Sequence, residues 1–303
     1  MKKILIFFLL YSFNLHAFND QLNEKQNQKS INLRVDSLNS ISTINFEYNS
    51  FVKLYMDSYL IKDQKLISKM LAISKHYFPI FEQKLDKYNL PLELKYLSVV
   101  ESSLNTRAKS PSGALGLWQF MYPTAKEYGL RVTSYIDERL DPFKSTEAAC
   151  KYFIKLYDLF GDWNLVLAAY NGGPGYIQRK MISTGHDNYW DLRPHLRTET
   201  RNYVPKFIAI TYLMEFHKNY KFPIDTLDIT LLNSDTIQID YQINYKTLSK
   251  LTCLSEEDIS YYNPSFKNNI VPKGSTIVLP KRNIDDYYFC LLYTSPSPRD
   301  RVQ

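Results

Sequence analysis

Between Phe46 and about Tyr220 the apolar residues recur at helical spacing, and only beyond Phe222-Pro223 does the pattern switch to alternation. That switch limits the chain to a mostly α-helical body followed by a small mixed unit. Leu60, Ile61, Leu66, Ile67, Met70, Leu71 and Ile73 set the helical period early. Pro91 stands where a helix begins, and Pro123 opens a short one that Gly129 closes. Ser145 to Phe160 ends in Gly161, and Asp162 is an N-cap for the helix running to Tyr170. A last long helix covers about Thr198 to Asn219, with a bend expected at Pro205. Thr236 to Asp240 then reads as a strand, Tyr245 to Ser260 as two short helices, and Ser275 to Leu279 as a second strand. The expected fold class is mostly α, residues 46–222, followed by a compact strand–helix–helix–strand module over 226–283. The module is close to the smallest size that folds alone.

Both ends read as separate from these units. Lys2 and Lys3 precede an apolar run from Ile4 to Phe13, with Ala17 as a small residue at a cut site, so residues 1–17 have the pattern of a secretory signal peptide. The run is too short to span a membrane, which takes about 20 apolar residues. Residues 18–45 are rich in Asn, Gln, Ser and Lys and are expected to form a polar spacer. Residues 284–303, with two Ser-Pro steps, fit neither unit and are expected to lie outside native structure.

Composition narrows the function classes. At 45% hydrophobic and 22% charged residues the chain is an ordinary globular protein, so wholesale disorder is excluded. The net charge of +6 favours an anionic partner, but Lys and Arg are scattered, and no run is dense enough for nucleic acid. Cys150, Cys253 and Cys290 are too few to form a disulfide framework, and no Cys/His set has metal-ligand spacing. No metal or cofactor is expected, and nothing in the sequence sets an oligomeric state. The 25 Tyr and 17 Phe provide flat faces suited to stacking on sugar rings.

Within the helical body, Leu90, Leu94, Leu97, Glu101 and Leu104 are spaced four, three, four and three, so one helix face carries a carboxyl among leucines. Glu101 lies near the C-terminal end of that helix. Desolvation and the negative end of the helix dipole both favour its protonated form, which is what a general acid needs. The helix taken alone also permits a simple ion pair with Arg107 or a nearby Lys. Ser110 to Met121 follows, joining flexible glycines to Trp118, Gln119 and Met121. Trp118 offers a stacking face, and Gln119 can donate to and accept from hydroxyl and acetamido groups. Ala169-Tyr170-Asn171 then ends a helix in a glycine turn, leaving Tyr170 and Asn171 at its mouth.

Together, Glu101-Ser102, Gly116-Leu-Trp-Gln119, Ala169-Tyr-Asn171 and Glu199-Thr-Arg-Asn-Tyr-Val-Pro205 resemble the lytic transglycosylases that share a fold with goose-type lysozyme, specifically the membrane-bound murein transglycosylase D branch. The resemblance runs over about Leu90 to Leu213. It implies a lysozyme-like domain that cleaves the β-1,4 bond between N-acetylmuramic acid and N-acetylglucosamine in peptidoglycan strands, leaving 1,6-anhydromuramoyl ends. By position it implies Glu101 as the acid and then the base, Tyr203 as the residue that orients it, and Ser110, Gln119, Met121, Tyr170, Asn171 and Glu199 along the glycan groove. Such an enzyme is expected to be exported to the periplasm or cell envelope.

Two other readings compete. A hydrolase on the same fold needs a second carboxylate to place water, with Glu199, Asp137 and Asp141 as candidates, although Asp137 and Asp141 also suit helix caps or a pair with Arg139. A catalytically silent peptidoglycan-binding protein would not need Glu101. The C-terminal unit resembles a degenerate LysM module through Asn263-Pro264 and Ile270 to Pro280. It departs at Tyr241 to Thr247, where the usual Gly-Asp-Thr/Ser turn is absent, so sugar binding and a purely structural role are both open.

Overall fold

The computed structural model describes residues 27–223 and 233–294. The signal-peptide reading of 1–17, the first part of the spacer, the start of the module at 226–232 and residues 295–303 lie outside the described residues.

The body is built from ten α-helices among the described residues. Helix α1 is described over residues 27–41. It is followed by α2 (Ser50–Ile61), α3 (Gln64–Lys87), α4 (Lys95–Ser102), α5 (Tyr122–Glu127), α6 (Pro142–Phe160), α7 (Trp163–Gly172), α8 (Pro174–Thr184), α9 (Tyr189–Leu192) and α10 (Thr198–Glu215). Their ends follow from local chemistry. Asn49 accepts from the Phe51 and Val52 amides to start α2, and Asp141 accepts from the Phe143 and Lys144 amides to start α6. Gly161 ends α6 in the left-handed conformation, and Asp162 starts α7 by accepting from the Leu165 amide. The long apolar pattern expected across Leu60 to Ile73 is broken at Lys62-Asp63, where α2 gives way to α3.

Helix α10 forms the centre, packing on α2, α4 and α7, while α6 packs on α3 and α7. Leu94, Leu97, Phe81, Trp118, Phe153, Leu165, Phe207 and Leu213 are fully buried in the shared core. Each such side chain stabilises the fold by about 1.5–3 kcal/mol relative to exposure.

Both expectations about the flanks are corrected. Residues 27–41 are helical, not a spacer, and Ile31, Val35 and Leu38 are buried in the main core. These three residues lie on one helix face at spacings of four and three, which is enough to dock α1 despite its polar composition. Arg34 Nη1 donates to the Tyr212 hydroxyl at 2.9 Å, tying α1 to α10. At the other end, α13 (Lys281–Thr294) occupies much of the stretch read as foreign to the fold. Tyr287 is buried in the module's core, and the Asn283 amide donates to the Thr252 carbonyl at 2.8 Å.

The module holds β1 (Ser234–Ile239), β2 (Ile243–Asn244), α11 (Tyr245–Thr252), α12 (Glu256–Tyr262), β3 (Ile270–Val271) and β4 (Ser275–Pro280), and α13 follows β4. β1 pairs antiparallel with β4, setting Ile237 opposite Ile277, and β2 pairs antiparallel with β3. Ile237, Ile239, Ile277 and Leu279 alternate inward to meet Leu248 and Ile259 from the two helices. The mostly α body with a small α+β appendage is thus the observed architecture.

Candidate active site

Helix α4 is only eight residues long and delivers Glu101 in its last turn. The chain then reverses sharply, because Ser103 and Leu104 both adopt left-handed backbone, with φ of 51° and 61°. Non-glycine residues held there cost about 1–3 kcal/mol each and persist where the surroundings enforce them. Leu104 is buried by this reversal without continuing the helix. Leu90 and Leu104 therefore flank α4, Leu94 closes the 3-10 turn just before it, and of the four leucines only Leu97 lies on α4 with Glu101.

Glu101 is half-buried, and the Tyr203 hydroxyl donates to its Oε1. Burial among protein atoms is the main influence on its carboxyl. The Tyr203 hydrogen bond pulls the other way, nearby Glu199 adds a further upward push, and the net result lifts the carboxyl to about 7. Glu199 and Tyr203 are four residues apart on α10, so a single helix face presents both toward Glu101. The Tyr203 hydroxyl is held well above its ordinary range by burial and by the Glu101 charge beside it, so it acts as a donor. Arg107 is not the partner of Glu101. Its guanidinium donates to the Ser260 carbonyl and hydroxyl, at 2.8 and 2.7 Å.

The end of α7 joins the same cluster. Asn171 donates to Glu199 Oε1 at 3.4 Å and accepts from the Thr200 hydroxyl at 2.9 Å. The Tyr170 hydroxyl donates to the Trp118 carbonyl at 2.7 Å, while its ring stacks on Phe153. Ser102 Oγ lies 2.9 and 3.0 Å from the Ser98 and Leu117 carbonyls, so the residue after Glu101 anchors the adjoining loop.

That loop, residues 108–121, is held by its own polar groups. Gln119 has φ of 48°, and its amide nitrogen donates to the Ala108 and Gly116 carbonyls at 3.1 and 2.8 Å. Ser110 Oγ accepts from the Ala114 amide at 2.9 Å. Gly116, with φ of 84°, packs so closely that an added Cβ would lie 2.0 Å from the Arg139 carbonyl oxygen. Met121 is exposed at the exit of the loop. Glu101, Tyr203, Glu199, Asn171 and Tyr170 thus form one cluster, while the Gln119 side chain is spent on the loop's own carbonyls. No hydrogen bond among the described residues joins Ser110 or Met121 to Glu101.

Trp118 requires a correction. It is fully buried between Phe81 and Phe153, and its Nε1 donates to the Thr146 hydroxyl at 2.9 Å. Its ring has no face left for a sugar, and it serves as the floor beneath the loop. Sequence reasoning passed over Thr146 and Thr200, and it anticipated the pairing of Arg139 with Asp137 but not its reach to the 108–121 loop. Only Gly116 carried a legible signal, a glycine inside an otherwise apolar turn.

Among the other acids, Asp137 forms a buried ion pair with Arg139, through Nε at 2.9 Å and Nη2 at 2.8 Å, and Asp141 caps α6. Neither is available to place a water at Glu101. No cluster among the described residues could hold a metal ion, and no described helix is long and apolar enough to cross a membrane.

Residues 78–192 match the transglycosylase SLT domain family, and residues 233–288 match the LysM-like domain of lytic transglycosylase MltD. Membrane-bound lytic murein transglycosylase D of Escherichia coli (strain K12) is 30% identical over 207 residues, which is 66% of this chain and 45% of that protein. A membrane-bound lytic murein transglycosylase F of Pseudoalteromonas translucida is 36% identical over 166 residues, covering 48% of this chain and 34% of that protein. The crystal structure of the 70 kDa soluble lytic transglycosylase SLT70 from Escherichia coli aligns with a TM-score of 0.41 and 25% identity, over 48% of this chain and 25% of that one. The chain spans less than half the length of either curated relative. It carries a transglycosylase SLT domain over residues 78–192, followed by an MltD-type LysM-like domain over residues 233–288.

Proposed function

We propose that this chain is a peptidoglycan lytic transglycosylase that cuts between N-acetylmuramic acid and N-acetylglucosamine with Glu101 as its sole acid and base. The observation that carries the proposal is a carboxyl lifted to about 7 by burial and oriented by the Tyr203 hydroxyl. A group poised near neutrality holds a proton for the leaving oxygen and can take one back in the next step. Glu101 first protonates the bridging oxygen as the glycosidic bond breaks. The substrate's own 2-acetamido group stabilises the developing cation, so no second protein carboxylate is required. The ionised Glu101 then removes the proton from the muramic C6 hydroxyl, whose oxygen attacks C1. The product ends in a 1,6-anhydro sugar and no water is consumed. A leader over residues 1–17 would export the chain to the envelope, where this substrate lies.

Glu199 supports one alternative. It is the only one of the three rival carboxylates close enough to influence Glu101, and it is exposed. A water placed by Glu199 would turn the reaction into hydrolysis. Mass spectrometry of digested sacculi separates the two. Anhydromuramoyl ends support the transglycosylase, and reducing muramic ends without anhydro product overturn it.

A further inference from the structure

The Asn263-Pro264 pair of the C-terminal module has no part in the chemistry above, yet the segment it begins is rigidly built. The Asn263 side chain donates to the Ile259 and Val278 carbonyls, at 3.0 and 2.8 Å, and accepts from the Val278 amide at 2.8 Å. Its own carbonyl accepts from the buried Tyr245 hydroxyl at 3.0 Å. The residues that follow leave the module and pair with the catalytic body. The Asp137 amide donates to the Ser265 carbonyl and the Lys267 amide to the Tyr135 carbonyl, both at 2.8 Å, with Ile136 opposite Phe266 as in an antiparallel ladder. Ile136 itself is buried in the module's core, and Lys267 Nζ donates to the Thr133 carbonyl at 2.7 Å.

Three residues beyond Ile136 is Arg139. Its guanidinium is fixed by Asp137 on one side and donates to the Gly113 and Phe120 carbonyls on the other, at 3.1 and 3.4 Å. Those carbonyls lie on the 108–121 loop, which carries Gln119 and touches Ser102 and Tyr170 beside Glu101. The Arg139 carbonyl, in turn, is the atom against which Gly116 packs. An unbroken run of backbone pairing, buried ion pair and loop carbonyls therefore leads from the module to the wall of the active site.

We propose that the C-terminal module is a positioning part of the catalytic unit, its Ser265–Lys267 edge clamping Ile136 so that Arg139 holds the 108–121 loop beside Glu101. This role needs no sugar bound to the module, and Arg139 acts as a positioning residue, not a catalytic one. It rests on the transglycosylase reading for its kinetic consequences, but not for its structural ones.

The test uses the full chain with Ile136→Asp, which undocks the module without altering a residue of the module itself. Ile136→Ala is the milder variant should the charge unfold the body. The substrate is a short, peptide-free glycan of alternating N-acetylglucosamine and N-acetylmuramic acid. The expected result is a loss in kcat of about tenfold or more with KM nearly unchanged, the signature of a displaced catalytic wall. Amide hydrogen exchange should quicken in 108–121 and 131–139 while the cores of α6 and α10 stay protected. Arg139→Gln should cause a similar loss, and the two changes combined should add little. Unchanged kcat while 263–267 exchanges freely overturns the proposal, as does a loss seen only as weaker binding to whole sacculi. If the wild type does not cut the glycan, the transglycosylase reading fails instead. The exchange data then decide alone, and an undocked module with an undisturbed 108–121 loop refutes the coupling.

Discussion

Tyr203 on α10 donates its hydroxyl to the Glu101 carboxyl at the end of α4, across 102 positions of the chain. The bond joins the acid to the helix at the centre of the body, and the chemistry proposed for Glu101 depends on that placement.

Glu101→Gln removes the transferable proton while keeping an oxygen that Tyr203 can reach. Sacculus digestion should fall by about 10²–10⁴-fold, with glycan binding retained in a pull-down. Unaltered digestion by the variant would refute the assignment.

The same substitution should raise stability in a pH-dependent way. Below pH 4.5 both the folded and the unfolded chain hold this proton, and between 4.5 and about 7 only the folded chain does. Wild-type stability therefore falls as pH rises through that window, by about 3 kcal/mol in all. Urea unfolding should show Glu101→Gln ahead of the wild type at pH 8 and the gap closing toward pH 4.5.

Tyr203→Phe removes the influence that pulls the Glu101 carboxyl down, so the basic limb of the kcat/KM profile, expected near 7 in the wild type, should move to higher pH. The rate should also drop by about 10–100-fold as the carboxyl loses its orienting partner. A drop in rate with the limb unmoved would mean that the hydroxyl does not act on Glu101.

Gly116→Ala should destabilise the fold by about 2–4 kcal/mol, because its Cβ would lie 2.0 Å from the Arg139 carbonyl oxygen. Gly113→Ala shares the positive φ but meets nothing within 4 Å, so about 1 kcal/mol is expected. Denaturant midpoints of the pair separate the clash from the backbone strain.

Glu147 accepts from Lys84 at 2.5 Å and from the Tyr88 hydroxyl, which hold its carboxyl down at about 2. The unfolded chain takes up this proton first as pH falls from 4.5, so the contribution is full above 4.5 and lost toward pH 2. Solvent around the pair reduces it to about 1 kcal/mol, which Glu147→Gln should forfeit at pH 7 and not at pH 2.

Much of this was legible in the sequence because local chemistry decides it. Asp162 and Gly161 cap where their residue types say they should, and the strands that alternation places at Thr236 to Asp240 and Ser275 to Leu279 are found within two residues of those bounds, at Ser234–Ile239 and Ser275–Pro280. The spacing of Leu94, Leu97 and Glu101 placed a carboxyl toward the interior. Other features depended on partners that the sequence does not reveal. Trp118 beside a glycine reads as an open aromatic, and only the distant Phe81 and Phe153 make it core. Helix α1 is hidden by its Asn, Gln and Ser, since Ile31, Val35 and Leu38 gain meaning only against the main core formed by distant helices. The pairing of Ile136 with Phe266 joins two units whose patterns are complete without it.

The acidity of Glu101 comes chiefly from exclusion of water, and only secondarily from the negative charge of exposed Glu199. Dissolved ions weaken the pull between exposed charges within a Debye length of about 8 Å at physiological strength, but they do not restore hydration to a walled-in carboxyl. The pH at which this carboxyl gives up its proton should therefore shift little between dilute medium and brine.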